Sequence, residues 1–246
     1  MMYANTQVVP AAYITLDIET GYAPAAEIAE QIENWEAPKN IKDAEKIAER
    51  KAAFEEAAKS KSSLTDAAPI VSICFKTNSG VCVLLSGMGK ARATETPTGW
   101  QVMEFDNEGE MLGIFAAMMN SLTGDQTRLV GHNILGFDLP KLRNRMVRNG
   151  VKLPSCLVPR FGDGEKNQPV YDTMKSARYF SQELSNQMFV SFDALAHALG
   201  LPIHKHLMDG SQVPFFAEQG RVDEILLYNA LDVEREEAAF LMMTGA

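Results

Sequence analysis

Three observations predict an α/β fold whose mixed sheet joins an antiparallel hairpin to parallel strands and is flanked by helices. An apolar, β-branched run at Ala11–Ile18 ends at acidic residues. Two further β-rich runs, Pro69–Thr77 and Val81–Leu85, are separated only by Asn78-Ser79-Gly80, a turn in which glycine supplies positive φ. Later strand-like runs alternate with stretches of helical spacing. At 246 residues and 46% hydrophobic content the chain can bury a substantial core, and residues 1–246 read as one domain.

Taken in order, Ala11–Ile18 is a candidate central strand and 69–85 its hairpin. Asn107-Glu108-Gly109-Glu110 then reads as a helix start with acid in the first turn, followed by Met111, Ile114, Phe115 and Met118 at helical spacing. Arg128–His132 is a second buried strand. A basic helix runs from Leu139 to Asn149, with Pro140 in its first turn and Gly150 closing it. Pro169–Thr173 is a weaker strand, Ser191 caps a helix through Leu199, and Val222 to Met243 forms a long final helix. An antiparallel meander followed by right-handed βαβ crossovers is the plan of a ribonuclease-H-like domain. Residues 21–67 interrupt it with a composition rich in Ala, Glu and Lys. Asn40 or Asp43 can cap a helix there that carries Ala44, Ile47, Ala48 and Phe54 near one face, with Lys51, Glu55 and Lys59 at i,i+4 spacing. This inserted helical arm could clamp a substrate, dock a partner or cover the sheet.

No run approaches 18 apolar residues, and the N-terminus lacks the pattern of a signal peptide, so a cytoplasmic protein with no membrane association is expected. Cys74, Cys82 and Cys156 have no CxxC spacing and read as buried free thiols. The net charge of −9 argues against nucleic acid, but its distribution does not. Residues 128–178 hold ten Lys/Arg against four acids, which leaves −15 on the remainder. Some of that acid can bind metal, because a bound divalent cation inverts local electrostatics. A solvated helix face is the alternative for the basic stretch.

Asp17 and Glu19 stand two apart at a strand end, so they project from one face and can share hard cations. About one Asp-x-Glu is expected by chance in this composition, so position rather than frequency carries the pair. Gly131-His132-Asn133-Ile134-Leu135-Gly136-Phe137-Asp138 leads from a strand into the basic helix, and its Asn-x3-Phe-Asp should arise by chance only about 0.03 times. Asp138 could instead be a simple cap, Phe137 core, and His132 a structural strand-end residue. Tyr228 and Asp232 lie at i,i+4 in the last helix and can meet the same site.

In this order these elements resemble the three exonuclease motifs of the DEDDy superfamily. Met208-Asp209-Gly210-Ser211-Gln212-Val213 is similar to a stretch in bacterial predicted exonucleases related to the proofreading domain of family-B DNA polymerases. The resemblance spans the core of the chain but not residues 21–67. It implies a 3′→5′ exonuclease that hydrolyses phosphodiesters from single-stranded 3′ ends, DNA rather than RNA, with two Mg²⁺ or Mn²⁺ ions. Asp17, Glu19 and Asp232 would hold one ion, and Asp17 would bridge to a second supported by Asp138, while Tyr228 orients the attacking water. Thr20, Asn133 and Phe137 would meet the strand, and the basic stretch offers Arg143 and Arg145 to its phosphates. The alternatives are a catalytically silent nucleic-acid-binding or scaffolding domain and a ribonuclease-H-like endonuclease. His204 and Asp209 mimic the His-x4-Asp of the sister DEDDh type, but Gly210-Ser211 marks a loop or a cap there, not a rigid helix interior.

Overall fold

A computed structural model describes residues 11–89, 99–160, 169–202 and 208–245. Its six strands are β1 (Tyr13–Thr20), β2 (Ile70–Thr77), β3 (Cys82–Ser86), β4 (Gln101–Glu104), β5 (Arg128–Gly131) and β6 (Val170–Asp172). They lie in the order β4-β3-β2-β1-β5-β6. The pairs β1–β2 and β2–β3 are antiparallel, whereas β3–β4, β1–β5 and β5–β6 are parallel. The sheet is flanked by α1 (Ala25–Glu33), α2 (Ala44–Ser62), α3 (Glu108–Leu122), α4 (Asp138–Arg148), α5 (Thr173–Ser176), α6 (Phe192–Leu199), α7 (Val213–Glu218) and α8 (Val222–Thr244). This is the expected ribonuclease-H-like α/β fold, with β4 added as a short edge strand that no run in the sequence announces.

Period-two alternation in β1 explains how one strand serves both a core and a site. Ile14, Leu16 and Ile18 are buried in a cluster with Leu112 and Phe115 of α3 and Leu139, Leu142 and Met146 of α4. The opposite face carries Thr15, Asp17 and Glu19. There α8 packs on the sheet through Val222, Leu226, Ala230 and Val233 against Cys74 and Leu84. A register shift in the β1–β2 ladder between Glu19 and Thr20 breaks the alternation where the site begins.

Several local expectations are borne out by their caps. Asn107 accepts from Glu110 N, Asp43 from Glu45 N and Lys46 N, and Ser191 from Ala194 N. Gly80 supplies the positive φ of the hairpin turn at 86°. The three cysteines are free, but only Cys74 is fully buried. The buried stripe of α3 is Met111, Leu112, Phe115, Ala116 and Met119, not Met111, Ile114, Phe115 and Met118, and Ile114 is exposed. Lys59 does not extend the Lys51–Glu55 pair but bridges Glu218 of α7 at 2.9 Å.

The arm holds the helices α1 and α2, which pack on each other and are seated on the body by the basic helix α4. The ammonium of Lys141 donates to Thr65 O, Arg145 Nη1 to Asp66 O and Ala67 O, and Arg148 Nη1 to Asp66 O. These carbonyls follow the C-terminus of α2, where cations are favoured. Burial pushes the Lys141 pKa down to about 8. No helix among the described residues is long and apolar enough to cross a membrane.

Candidate active site

β5 runs parallel beside Tyr13–Thr15 and ends there, so the last residues of β1 extend beyond it, while the other neighbour β2 runs the opposite way. Such a change of direction opens a crevice at the strand ends. A cleft of about 500 Å³ sits there, with Asp17, Glu19, Asp138 and Asp232 among its lining residues.

The loop after β5 is built for close backbone approach. A Cβ on Gly131 would lie 2.9 Å from both Leu16 O and the Ile134 side chain. Asn133 adopts a left-handed backbone at φ 59°, and a Cβ on Gly136 would collide with its Oδ1. Buried Asp172 holds this turn by accepting from Asn133 N and Leu135 N, both at 3.1 Å. The turn delivers Asp138 as the first residue of α4, where its Oδ1 accepts from Ile18 N at 3.2 Å. Asp138 is therefore not a cap, since Phe137 holds that position and makes no side-chain capping bond.

From the other side, α8 aligns Tyr228, Asp232 and Glu236 on successive turns of one face. Ligand oxygens of Asp17, Glu19 and Asp232 all lie within 4.8 Å of one another. Burial, then the neighbouring acids Glu236, Asp138, Glu19 and Asp232, raise the Asp17 pKa well above the usual carboxylate range. Burial, then Asp232 and Asp138, do the same to Glu19. Burial, opposed by two backbone donors, leaves Asp138 at about 7. The Tyr228 phenol donates a hydrogen bond to Asp232, and its own pKa is raised by burial and by Asp232. Arg235 partly offsets this acid, bonding Asp232 at 3.3 Å and Asp193 at 2.6 Å.

The cleft also takes in Thr20, Asn133 and Phe137. Thr20 Oγ1 donates to Ser63 O of the segment after α2, so the arm is tied to the site. His132 lines the cleft as a structural residue: its Nε2 donates to Val190 O at 2.8 Å and its Nδ1 meets Thr173 Oγ1 at 3.0 Å. Arg143 and Arg145 are not brought to the cleft, contrary to expectation. Arg143 Nε donates to Leu157 O, and Arg145 makes a two-pronged pair with Glu108 at 2.9 and 2.5 Å while also bonding the arm. Arg145 stands two turns beyond Asp138 on the same side of α4, where Glu108 and the carbonyls after α2 engage it, and Arg143 lies on another side, against Leu157. Asp209 caps a short turn and is exposed, as its loop context requires, and His204 lies outside the described residues.

Reading the sequence missed four contributors. Glu236 is buried, its Oε1 accepts from His132 N at 3.2 Å, and its Oε2 has no hydrogen-bond partner among the described residues. It follows Asp232 by four residues, a signal that was present but overlooked. Lys61, Leu64 and Phe189 line the cleft from the arm and from the loop before α6, and nothing in their local patterns marks them.

No curated protein matches the chain. Residues 80–243 match the family described as a predicted 3′–5′ exonuclease related to the exonuclease domain of PolB. That span contains Asp138, Tyr228 and Asp232 but not β1, whose Asp17 and Glu19 are joined to them by the fold. With most of its length matched and the acids gathered at one cleft, the chain belongs to this family of predicted 3′–5′ exonucleases.

Proposed function

We propose that residues 1–246 act as a single metal-dependent exonuclease domain, with 21–67 as its inserted arm, removing nucleotides from the 3′ end of single-stranded DNA in the cytoplasm. The observation that carries this reading is the partly buried triad of Asp17, Glu19 and Asp232 with Tyr228 bonded beside it. Three carboxylates held this close repel one another when ionised, so they keep their charge together only if a cation joins them. An all-oxygen donor set fits Mg²⁺ or Mn²⁺. Burial, then Asp138 and Asp232, raise the Glu236 pKa well above the usual carboxylate range, and bound cations would favour its charged form.

Asp17, Glu19 and Asp232 would hold one ion, and Asp17 with Asp138 a second. When bound, such ions lower the pKa of a water and offset charge on the departing 3′ oxygen. Tyr228, fixed by its bond to Asp232, orients the attacking water toward the phosphorus. The exposed apolar side chains of Leu64 and Phe189 give the terminal base surfaces to stack on, and Lys61 offers charge to a phosphate. Asn133, in its left-handed conformation, and Thr20 stand along the strand's path.

The test is cleavage of 5′-labelled single-stranded DNA and RNA, with free or blocked 3′ ends, in Mg²⁺, Mn²⁺ or EDTA. Stepwise shortening of free-ended DNA, abolished by EDTA, is the expected result. Cutting of the blocked strand would instead identify an endonuclease, and an intact strand in every metal a silent binding domain.

A further inference from the structure

A second depression of about 470 Å³ lies on the arm, lined among others by Trp35, Pro38, Arg50, Phe54, Ala57 and Lys61. Lys61 also lines the cleft over the carboxylates, so the two depressions adjoin across one side chain. Trp35 and Phe54 face each other with ring centroids 6.3 Å apart and remain partly exposed, so flat aromatic surface is accessible. Arg50, Phe54, Ala57 and Lys61 recur at helical spacing along one side of α2. Neither Arg50 nor Lys61 has an ion-pair partner among the described residues. The other side of the aromatic pair faces Glu27 and Glu30, which restricts anions to the Arg50–Lys61 side.

From these observations we infer that the arm's groove binds the single-stranded nucleic acid that trails behind the nucleotide being cleaved. Bases stack on Trp35 and Phe54, and phosphates meet Arg50 and Lys61. This inference rests on the nuclease reading of the cleft, to which it adds a substrate tract and a preference for length. Aromatic stacking is tolerant of sequence, and interleaved cations follow the backbone, the combination used by single-strand binders. From Lys61 to Arg50 the helix rises roughly 16 Å at 1.5 Å per residue, room for about five nucleotides at a stacked spacing of about 3.4 Å. A trinucleotide held in the cleft falls short of the groove, and a decamer crosses it.

The sequence contains two tryptophans, so Trp100→Phe leaves Trp35 as the only reporter. The full-length variant is titrated with trithymidylate and decathymidylate in Ca²⁺, with the strands checked for integrity. Binding is followed by Trp35 fluorescence and by anisotropy of a 5′ label. If Trp100→Phe fails to fold, the difference in quenching between wild type and Trp35→Phe serves instead. The decamer is expected to quench Trp35 and the trimer to leave it unchanged. Arg50→Ala with Phe54→Ala should raise the Kd of the decamer roughly tenfold or more and flatten its salt dependence. Equal quenching by both lengths, no quenching, or an unchanged decamer Kd in the double variant overturns the assignment. The two readings fail separately. Quenching by the decamer without hydrolysis in Mg²⁺ or Mn²⁺ rejects the nuclease while supporting the groove, and hydrolysis without quenching does the reverse.

Discussion

Asp138→Asn should change the pH dependence of stability in the metal-free protein by an amount the structure sets. Burial holds the Asp138 pKa at about 7, against 3.8 for the unperturbed group. A carboxyl whose folded pKa is raised contributes its full stability below the unfolded value, and that stability is lost as pH rises toward the folded value. Between pH 5 and pH 7 the folded protein keeps a proton that the unfolded chain has released. Two pH units at about 1.4 kcal/mol each remove roughly 3 kcal/mol of wild-type stability. Asparagine does not titrate, and its Oδ1 can still accept from Ile18 N. Its amide group needs a new partner and costs about 1–3 kcal/mol if it finds none, but that cost is nearly independent of pH. The difference in unfolding free energy between variant and wild type should therefore move in the variant's favour by about 3 kcal/mol from pH 5 to pH 8. Urea unfolding in EDTA at the two pH values measures it. Excess Mg²⁺ or Mn²⁺ should move the difference at pH 8 back toward the wild type, because only the wild type keeps the Asp138 carboxylate for the second ion. A difference that changes by less than about 1 kcal/mol over this range would refute the idea that Asp138 is held protonated by its buried setting.

In steady-state cleavage of labelled DNA, Asp232→Ala should abolish activity, whereas Tyr228→Phe should lower kcat by about 10- to 1000-fold through loss of water positioning; equal kcat for Tyr228→Phe and wild type would remove the phenol from the reaction. Arg145→Ala should cost about 2–4 kcal/mol in denaturant unfolding by leaving the partly buried Glu108 carboxylate without its fork, and should leave the salt slope of DNA binding unchanged. Gly136→Ala should lower thermal stability by driving a Cβ into the Asn133 side chain and disturbing the turn that delivers Asp138, a loss visible by calorimetry with or without metal. Glu236→Gln should retain the bond from His132 N while removing a carboxyl that can ionise beside bound cations, so metal affinity measured by calorimetric titration should fall without loss of fold.

Features set by short-range physics were legible in the chain. The capping residues Asp43, Asn107 and Ser191, the glycine of the hairpin turn and the carboxylates on one face of β1 all depend on neighbours within a few residues, and the structure contains them as expected. So do the Tyr228–Asp232 spacing and the cap at Asp209 that disqualifies it as a helix-borne ligand. Where a face points is a different kind of information. The local sequence makes α4 basic, but only its packing against α3 and the arm decides that Arg145 is committed to Glu108 and to carbonyls of the arm rather than to a phosphate. The same holds for α3, whose helical spacing was legible but whose packing buries Leu112, Ala116 and Met119 beside Met111 and Phe115, sets Met118 partly buried against the core and leaves Ile114 exposed. Glu236 looks like a surface acid until α8 is laid across β1 and β5, and Lys61, Leu64 and Phe189 reach the cleft only because the arm and the loop before α6 converge there. The sequence by itself determined most of the strand, helix and cap pattern, β4 excepted, and four of the five clustered acids, Glu236 excepted, because these follow from backbone periodicity and side-chain reach. The tertiary structure alone decided which charged groups face one another, because burial and long-range contacts, not spacing along the chain, set whether a cation holds the fold together or waits for a substrate.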